Sequence, residues 1–341
     1  TAYHYVPLPN KHTCSCTAGF RRKKRCRGCS VMKTVKLSVP VVVTIIYVPL
    51  MLFGLLGNIL TILVVWLRPH MRSSTYLYLS SMAISDLLIL LLLPLDLYKL
   101  WRPRPWPLGD LACKLTMFLS ECCTFCTILH ITFLSLERYV AVCWPITAKT
   151  LVTRRRTRAI IGCLWLGAAV SAAPVLLMVG VEDIGGDEAD RRECRCTQYA
   201  ISSGLLSAMM ILSNLYFLVP LSILGLVYSL IGRTLWLRPK SSRKEQGHRN
   251  TVKMLGVIVL AFVLCWLPFH VGRTIFSLSL GSYFNLVSSV LFYLSAAINP
   301  LLYNLMSARY RLAVRSLVRG PSQTQAQHLR TLTVQNWTEQ V

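Results

Sequence analysis

The chain has 341 residues, of which 54% are hydrophobic and only 15% are charged, so it is too apolar for an ordinary soluble domain of this length. Its formal net charge is +24, but the basic residues lie between apolar runs rather than along one face, which argues against a nucleic-acid-binding protein. Composition therefore predicts a membrane protein, in which most of the 13 cysteines are small packing side chains within apolar runs.

Residues 1–38 explain least about the protein. They include a basic cluster at residues 21–27 and a Cys26-x-x-Cys29 pair with the spacing of zinc ligands, with Cys14 and Cys16 nearby. A segment without a metal site is the simpler interpretation. We expect residues 1–38 to form an extracellular N-terminal segment that is disordered or comes from an incorrectly predicted exon.

Seven apolar runs follow, and each is long enough for a membrane helix of roughly 20 residues. They are residues 39–66, 75–98, 109–143, 158–179, 204–231, 252–278 and 284–306. Lys and Arg are more numerous in the segments after the first, third, fifth and seventh runs, which places these segments in the cytosol. The predicted N-terminus is therefore extracellular and the C-terminus cytoplasmic, with a seven-transmembrane domain over residues 39–306.

A short helix is predicted after the seventh run, over residues 307–319. Tyr310, Ala313, Val314 and Leu317 recur at helical spacing, and arginines are offset from them, as in a helix that lies on the membrane surface. Residues 320–341 are predicted to be a cytoplasmic tail. The predicted fold class is an all-α membrane protein, a seven-transmembrane-helix bundle with a short amphipathic membrane-surface helix after helix seven.

The third run carries ionisable residues that a lipid-facing helix would exclude. Glu121 lies within its apolar part, and Glu137 and Arg138 lie near its cytoplasmic end. A charge in hydrocarbon costs roughly 2.5–3.5 kcal/mol on insertion scales, so these side chains are expected to face the protein interior or a cavity. The third run is therefore predicted to be a central helix with two candidate sites.

Motifs in all seven runs resemble those of rhodopsin-like (class A) G-protein-coupled receptors. They are Gly57-Asn58 in the first run, Asp86-Leu87 in the second, Glu137-Arg138-Tyr139 in the third, Trp165 in the fourth, Pro220 and Tyr228 in the fifth, Cys265-Trp266-Leu267-Pro268 in the sixth, and Asn299-Pro300 with Tyr303 in the seventh. The resemblance covers about residues 39–318. It implies a receptor that binds heterotrimeric G protein at its cytoplasmic side and is not an enzyme.

Other membrane classes lack their own signatures in this sequence. A retinal-binding opsin needs a lysine in the seventh run, and residues 284–306 contain none. No His-Glu-x-x-His or similar protease motif is present, and the two halves of the chain show no repeat of the kind found in transporters.

The resemblance also assigns roles to polar residues in the core. Asp86 is expected to hold an allosteric sodium ion, the one cofactor-like group implied; a hydrogen-bonded core aspartate is the alternative. The implied ion site consists of Asn58, Asp86, Thr127, Ser295 and Asn299. The implied activation switch consists of Glu137, Arg138, Tyr139, Tyr228, Trp266, Pro268, Pro300 and Tyr303.

In the implied switch, Glu137 neutralises Arg138 while the bundle is closed, and opening frees the guanidinium for the G protein. Pro268 kinks the sixth helix just below the ligand cavity. Outside, Cys113 is expected to bond to Cys194, with Cys196 as a competing partner that spacing does not exclude.

A narrower resemblance is to the ghrelin (growth hormone secretagogue) and motilin receptor subfamily. It rests on stretches such as 95–101, 104–106, 231–236, 269–273 and 292–299, and it favours a ghrelin-type over a motilin-type peptide ligand. Receptors for neuromedin U or neurotensin, or a constitutively active or non-functional receptor, are the alternatives. The implied coupling is to Gq, phospholipase C and calcium release.

The subfamily resemblance predicts a ligand cavity crossed by an ion pair between Glu121 and Arg273. Asp96 is expected to bind a ligand amine or basic side chain, and an acidic loop at residues 182–193 to attract a cationic peptide. The remaining predicted ligand-binding residues are Met117, Phe269, His270, Phe276 and Phe292. Peptide hormone, G protein and membrane lipids are thus the expected partners.

Overall fold

The computed structural model describes residues 27–102, 104–183, 192–237, 243–275 and 282–318. Most of the predicted N-terminal segment and the whole predicted tail at 320–341 lie outside these ranges. The elements in chain order are α1 (Arg27–Leu67), α2 (Ser74–Trp101), α3 (Gly109–Cys143), α4 (Pro145–Leu151), α5 (Arg154–Ala172), α6 (Val175–Met178), β1 (Val179–Asp183), β2 (Arg192–Cys196), α7 (Gln198–Ser202), α8 (Leu205–Leu237), α9 (Arg243–Ile275), α10 (Ser282–Met306) and α11 (Ala308–Val318).

The predicted seven-helix architecture is confirmed by the long helices α1, α2, α3, α5, α8, α9 and α10. Within the described ranges, five spans are long and apolar enough to cross a membrane by length and composition: Pro40–Leu67, Ser74–Trp101, Gly109–Cys143, Arg154–Met178 and Leu205–Leu237. α10 reaches that standard only as a bent pair with α11, and α9 contains a shorter apolar stretch, Leu255–Pro268.

Helix ends differ from the predicted runs at several places. α1 begins at Arg27 and α9 at Arg243, well before residues 39 and 252, because a helix satisfies its own backbone hydrogen bonds and can continue beyond its apolar part. The fourth run, 158–179, is not one helix. Pro174 has no N–H to donate, and the chain after it forms the short α6 and then enters β1 at Val179.

α3 is the central helix of the bundle, as predicted. It packs against α2, α5, α8 and α9, and both β-strands lie over its outer end. Gly109, with a φ of 76°, starts α3 in a left-handed conformation that glycine adopts without strain. The ionisable residues of α3 therefore face other helices instead of lipid.

α1 and α10 approach each other closely, so that glycine is required at the contact. A Cβ added to Gly57 would lie 2.8 Å from the Cβ of Pro300, and one added to Gly54 would lie 3.1 Å from the Cα of Ala297. The Gly57-Asn58 motif thus allows α1 to reach the part of α10 that contains Asn299 and Pro300.

α11 agrees with the predicted surface helix at residues 307–319 to within one residue at each end. The Tyr310 ring is buried, and its hydroxyl lies 2.9 Å from the hydroxyl of Thr61 on α1. Arg68, just after α1, donates a hydrogen bond to the Ser316 carbonyl oxygen at 2.7 Å. These contacts hold α11 against the C-terminal end of α1.

Candidate functional site

A disulfide bond closes the outer end of the bundle. Cys113, near the start of α3, is bonded to Cys194 in β2, with the two Cα atoms 5.6 Å apart, which decides between the two predicted partners. Cys196 is a half-buried free thiol. Burial raises the pKa of the Cys196 thiol, and the Glu182 carboxylate adds to this shift. A protonated thiol is a poor nucleophile, so Cys196 is ill suited to attack the neighbouring disulfide.

An ion pair ties the β-hairpin to the connection between α2 and α3. Nε and Nη2 of Arg104 each lie 2.9 Å from Oε2 of Glu193, whose side chain is almost completely buried. The backbone N–H of Trp106 donates to the Arg192 carbonyl oxygen at 2.8 Å. Glu193 was predicted to help attract a cationic peptide, but its charge is already balanced by Arg104.

Glu182, the first acid of the same predicted loop, is also engaged within the protein. Its Oε1 accepts a hydrogen bond from the backbone N–H of Gln198 at 2.8 Å, and its Oε2 lies 4.0 Å from Nε of Arg195. The predicted acidic loop has four acids besides Glu182 and Glu193. Three of these four lie in residues 184–191, beyond the described ranges. The described part of the hairpin thus uses its two glutamates chiefly to fix its own position.

Glu121 lies deep in the predicted cavity, with only 6% of its surface exposed. Its predicted partner Arg273 belongs to α9, but the side chain of Arg273 is outside the described residues, as are the side chain of Phe269 and the whole of Phe276. A carboxylate at this depth requires polar or charged partners. The ion pair between Glu121 and Arg273 stays a prediction.

Asp96 connects α2 to α10 at the side of the cavity. The Tyr293 hydroxyl donates to its Oδ2 at 2.5 Å, and Nζ of Lys99 lies 3.9 Å from its Oδ1. Lys99 also lies over the Trp106 ring, 5.0 Å from its centroid. A ligand amine that binds Asp96 must therefore share this carboxylate with Tyr293 and Lys99.

Aromatic rings cluster around Trp266, the predicted floor of the ligand cavity. The Phe292 ring meets Trp266 edge to face, with centroids 5.3 Å apart, and His270 lies 6.2 Å away. His270 stacks on Phe217 with centroids 4.5 Å apart, and its Nδ1 lies 3.2 Å from Oδ1 of Asn214 on α8. His270 was predicted as part of an apolar wall, but its contact with Asn214 is polar.

Met117 lies one turn above Glu121 on α3. It is buried in the apolar cluster beneath the hairpin, together with Cys113, Cys194 and Val179. Of the predicted ligand-binding residues with described side chains, Met117 thus packs beneath the hairpin, whereas His270 and Phe292 pack around Trp266.

Below the aromatic cluster around Trp266, the predicted ion-site residues form several small hydrogen-bonded groups. Nδ2 of Asn299 donates to Oδ2 of Asp86 at 2.9 Å, and Asp86 is almost completely buried. The Thr127 hydroxyl lies 2.9 Å from the hydroxyl of Ser85, a residue that the sequence analysis did not single out. The Ser295 hydroxyl donates to the Phe292 carbonyl oxygen at 2.6 Å.

Asn58 links α1 to α10 in the same region. Its Nδ2 donates to the carbonyl oxygens of Gly54 and Ala296, each at 2.9 Å. Its Oδ1 is buried without a hydrogen-bond partner among the described residues. Buried oxygens that include a carboxylate and an amide carbonyl are the ligand type that a hard cation requires, so this donor set fits a sodium ion.

Near the C-terminal end of α3, Glu137 is held by two helices other than its own. Its Oε1 accepts a hydrogen bond from the Tyr78 hydroxyl on α2 at 3.0 Å and from the Thr157 hydroxyl on α5 at 3.2 Å. Among the described residues, Glu137 forms no ion pair with Arg138 within 4 Å. The predicted neutralising contact is therefore not made in this conformation.

The predicted tyrosines of the switch make separate contacts. The Tyr228 hydroxyl is 3.4 Å from the Ser135 hydroxyl, which joins α8 to α3. Tyr303 is buried on α10 with its ring 6.2 Å from that of Tyr310. Tyr139 packs against an apolar cluster of α3 and α8. The structure thus brings Tyr228 to α3 and leaves Tyr303 beside α11.

A sequence model of the 7 transmembrane receptor (rhodopsin family) matches residues 57–303, which is more than half of the chain. The matched range includes Asp86, Glu121, Arg138, Trp266 and Asn299. The chain belongs to the rhodopsin family of seven-transmembrane receptors.

Relatives within the rhodopsin family cover most of this receptor. It is 51% identical over 316 residues to growth hormone secretagogue receptor type 1 of Sus scrofa, covering 87% of this chain and 86% of that protein. It is 43% identical over 332 residues to the motilin receptor of Homo sapiens, covering 81% and 80%. It is 33% identical over 313 residues to neurotensin receptor type 1 of Rattus norvegicus, covering 80% and 74%.

Some polar residues around these sites were not predicted as site residues from the sequence. They are Ser74, Tyr78, Ser85, Thr157, Asn214 and Tyr293. Each is a polar residue on a membrane helix, and such residues favour the protein interior. Their polarity could have predicted that they face inward, but it does not predict which partner each one contacts.

Proposed function

We propose that this receptor binds a peptide hormone of the ghrelin type at the plasma membrane and activates Gq, and through it phospholipase C and calcium release. The observation that carries the proposal is the similarity over more than four fifths of the chain to growth hormone secretagogue receptor type 1, at higher identity than to the motilin receptor. The buried Glu121 below the disulfide-bonded hairpin offers a charged site to such a ligand.

In the proposed orientation the N-terminus is extracellular and α11 lies on the cytoplasmic leaflet, in contact with membrane lipids. The exposed Arg315 and Leu312 of α11 suit lipid headgroups and acyl chains respectively. Peptide enters from the hairpin side, and G protein binds beside Arg138. Bound ligand shifts an existing equilibrium towards the state that G protein recognises, through its higher affinity for that state.

The proposal is tested by measuring intracellular calcium in cells that express the chain, after octanoylated ghrelin and motilin are added separately. Empty-vector cells and surface staining are the controls. A response to octanoylated ghrelin that disappears in cells without Gq-family α subunits is the expected result. A response to motilin alone would reassign the ligand. Silence to both peptides with protein at the surface would contradict a peptide receptor of this type and favour a receptor that does not respond to ligand.

A sodium ion is proposed to bind at Asp86, with Asn58, Thr127, Ser295 and Asn299 as the surrounding oxygen donors. The positive charge of the ion would balance the negative charge of the buried Asp86 carboxylate. We propose that sodium binds the closed state more tightly than the open one. Replacing choline by sodium in the buffer should weaken peptide affinity by about tenfold, and Asp86→Asn should remove this dependence. Equal affinity in both buffers for the unaltered receptor would contradict the ion site.

A further inference from the structure

The carboxylate of Glu137 links α3 to α2 and α5, and we call this contact the junction. Tyr78 on α2 and Thr157 on α5 both contact its Oε1, at 3.0 and 3.2 Å. The Thr157 hydroxyl also donates to the hydroxyl oxygen of Ser74 on α2 at 2.9 Å, so its one proton is shared between Ser74 and Glu137. Tyr78 and Thr157 are completely buried, so water does not compete for these hydroxyl groups. When Glu137 is ionised, both bonds are stronger than hydrogen bonds between neutral groups.

Arg138, the next residue, does not share this junction. Consecutive residues on a helix do not face each other, so a pair between Glu137 and Arg138 forms only if both side chains bend towards one another. Oε2 of Glu137 and Nε of Arg138 are both buried without a hydrogen-bond partner among the described residues. The two charged groups have unused bonding capacity, yet the carboxylate is held on the side of α2 and α5.

We propose that Tyr78 and Thr157 are positioning residues that hold the Glu137 carboxylate away from Arg138 and so keep the guanidinium available to the G protein. This inference rests on the proposed role of Arg138 in G-protein activation. The two hydroxyls compete with Arg138 for one carboxylate, and their bonds lower the free energy of the conformation in which Arg138 is not neutralised. Without them, Glu137 turns to Arg138.

The test is nucleotide exchange on purified Gq, without ligand, by the receptor in lipid nanodiscs. The Tyr78→Phe variant keeps the ring and its edge contact with His130 but loses the hydroxyl. Tyr78→Phe combined with Thr157→Val is expected to lower basal exchange about tenfold. Unchanged or raised exchange would overturn the proposal, as would undetectable exchange by the unaltered receptor, because a free Arg138 predicts a measurable rate.

A second set of variants, made in a receptor that already carries Glu137→Gln, separates a positioning role from a general loss of structure. In Glu137→Gln the side chain has no charge with which to neutralise Arg138, so adding Tyr78→Phe with Thr157→Val should have no further effect on exchange. A loss of equal size in both backgrounds would contradict action through Glu137. Tyr76→Phe is the matched control, since Tyr76 lies on the same helix and contacts the Ser307 hydroxyl at 3.0 Å, not Glu137. Its exchange rate should equal that of the unaltered receptor, and an equal drop would overturn the proposal.

Arg138→Ala distinguishes failure of this inference from failure of the proposed function. If Arg138→Ala abolishes exchange while Tyr78→Phe with Thr157→Val changes nothing, only the positioning role is wrong. If Arg138→Ala leaves exchange unchanged, the proposed role of Arg138 is itself wrong, and the positioning role is wrong with it.

Discussion

Replacement of Arg138 by alanine is expected to abolish ligand-stimulated nucleotide exchange on Gq. Arg138 lies near the C-terminal end of α3, the helix that contacts four of the other long helices, and its guanidinium has a buried Nε without a hydrogen-bond partner among the described residues. Loss of a buried charged anchor at an interface costs about 2–5 kcal/mol, so we expect a reduction of roughly 30-fold or more.

The measurement is nucleotide exchange on purified Gq at saturating peptide, with receptor amounts equalised by surface staining or by detergent-solubilised yield. Arg138→Lys should retain part of the activity, because it keeps the charge but loses the planar fork of donors. The exposed Arg158 on α5 provides the control, since Arg158→Ala removes an arginine that faces away from the bundle. Exchange by Arg138→Ala at the level of the Arg158→Ala control would refute the assigned role.

Replacement of Glu121 by glutamine is expected to abolish peptide potency while surface expression stays near normal. Glutamine has nearly the same size, so the packing around this buried side chain is kept and only the charge is lost. The lost interactions are charge-assisted, with a cationic ligand group or with Arg273, and they are worth about twice a neutral hydrogen bond. We expect the half-maximal peptide concentration to rise by roughly 100-fold or more, as for a fully desolvated charged contact.

A calcium dose–response curve with octanoylated ghrelin measures this effect. The Asp110→Asn variant makes the same change from acid to amide at the exposed outer end of α3, where Asp110 forms a surface ion pair with Lys114 at 2.7 Å. Such surface pairs contribute about 0–1 kcal/mol, so its potency should change less than about fivefold. If Glu121 and Arg273 pair, Arg273→Gln should add little to Glu121→Gln. Normal potency of Glu121→Gln would remove Glu121 from the proposed cavity.

Several site predictions depended on choosing a partner, and here the sequence was least informative. Cys194 and Cys196 were both candidate disulfide partners of Cys113. The choice between them depends on the hairpin register, in which Cys194 lies opposite Val181 and Cys196 opposite Val179. Glu193 was expected to attract a peptide, but the path of the α2–α3 connection brings Arg104 to it. Glu137 was expected to bind its sequence neighbour Arg138, but its carboxylate instead accepts hydrogen bonds from hydroxyls on α2 and α5.

The sequence by itself determined the number of long helices, the central place of α3 and the membership in the rhodopsin family, because the thickness of a bilayer sets the length of an apolar run and because buried charges are rare in lipid. Only the tertiary structure decided which polar groups meet: Asn299 with Asp86, Tyr293 with Asp96, Asn214 with His270, and Tyr78 and Thr157 with Glu137. Such contacts depend on how each helix is rotated about its axis and shifted along it relative to its neighbours. That arrangement is set by the packing of all the helices together, and no local stretch of sequence contains it.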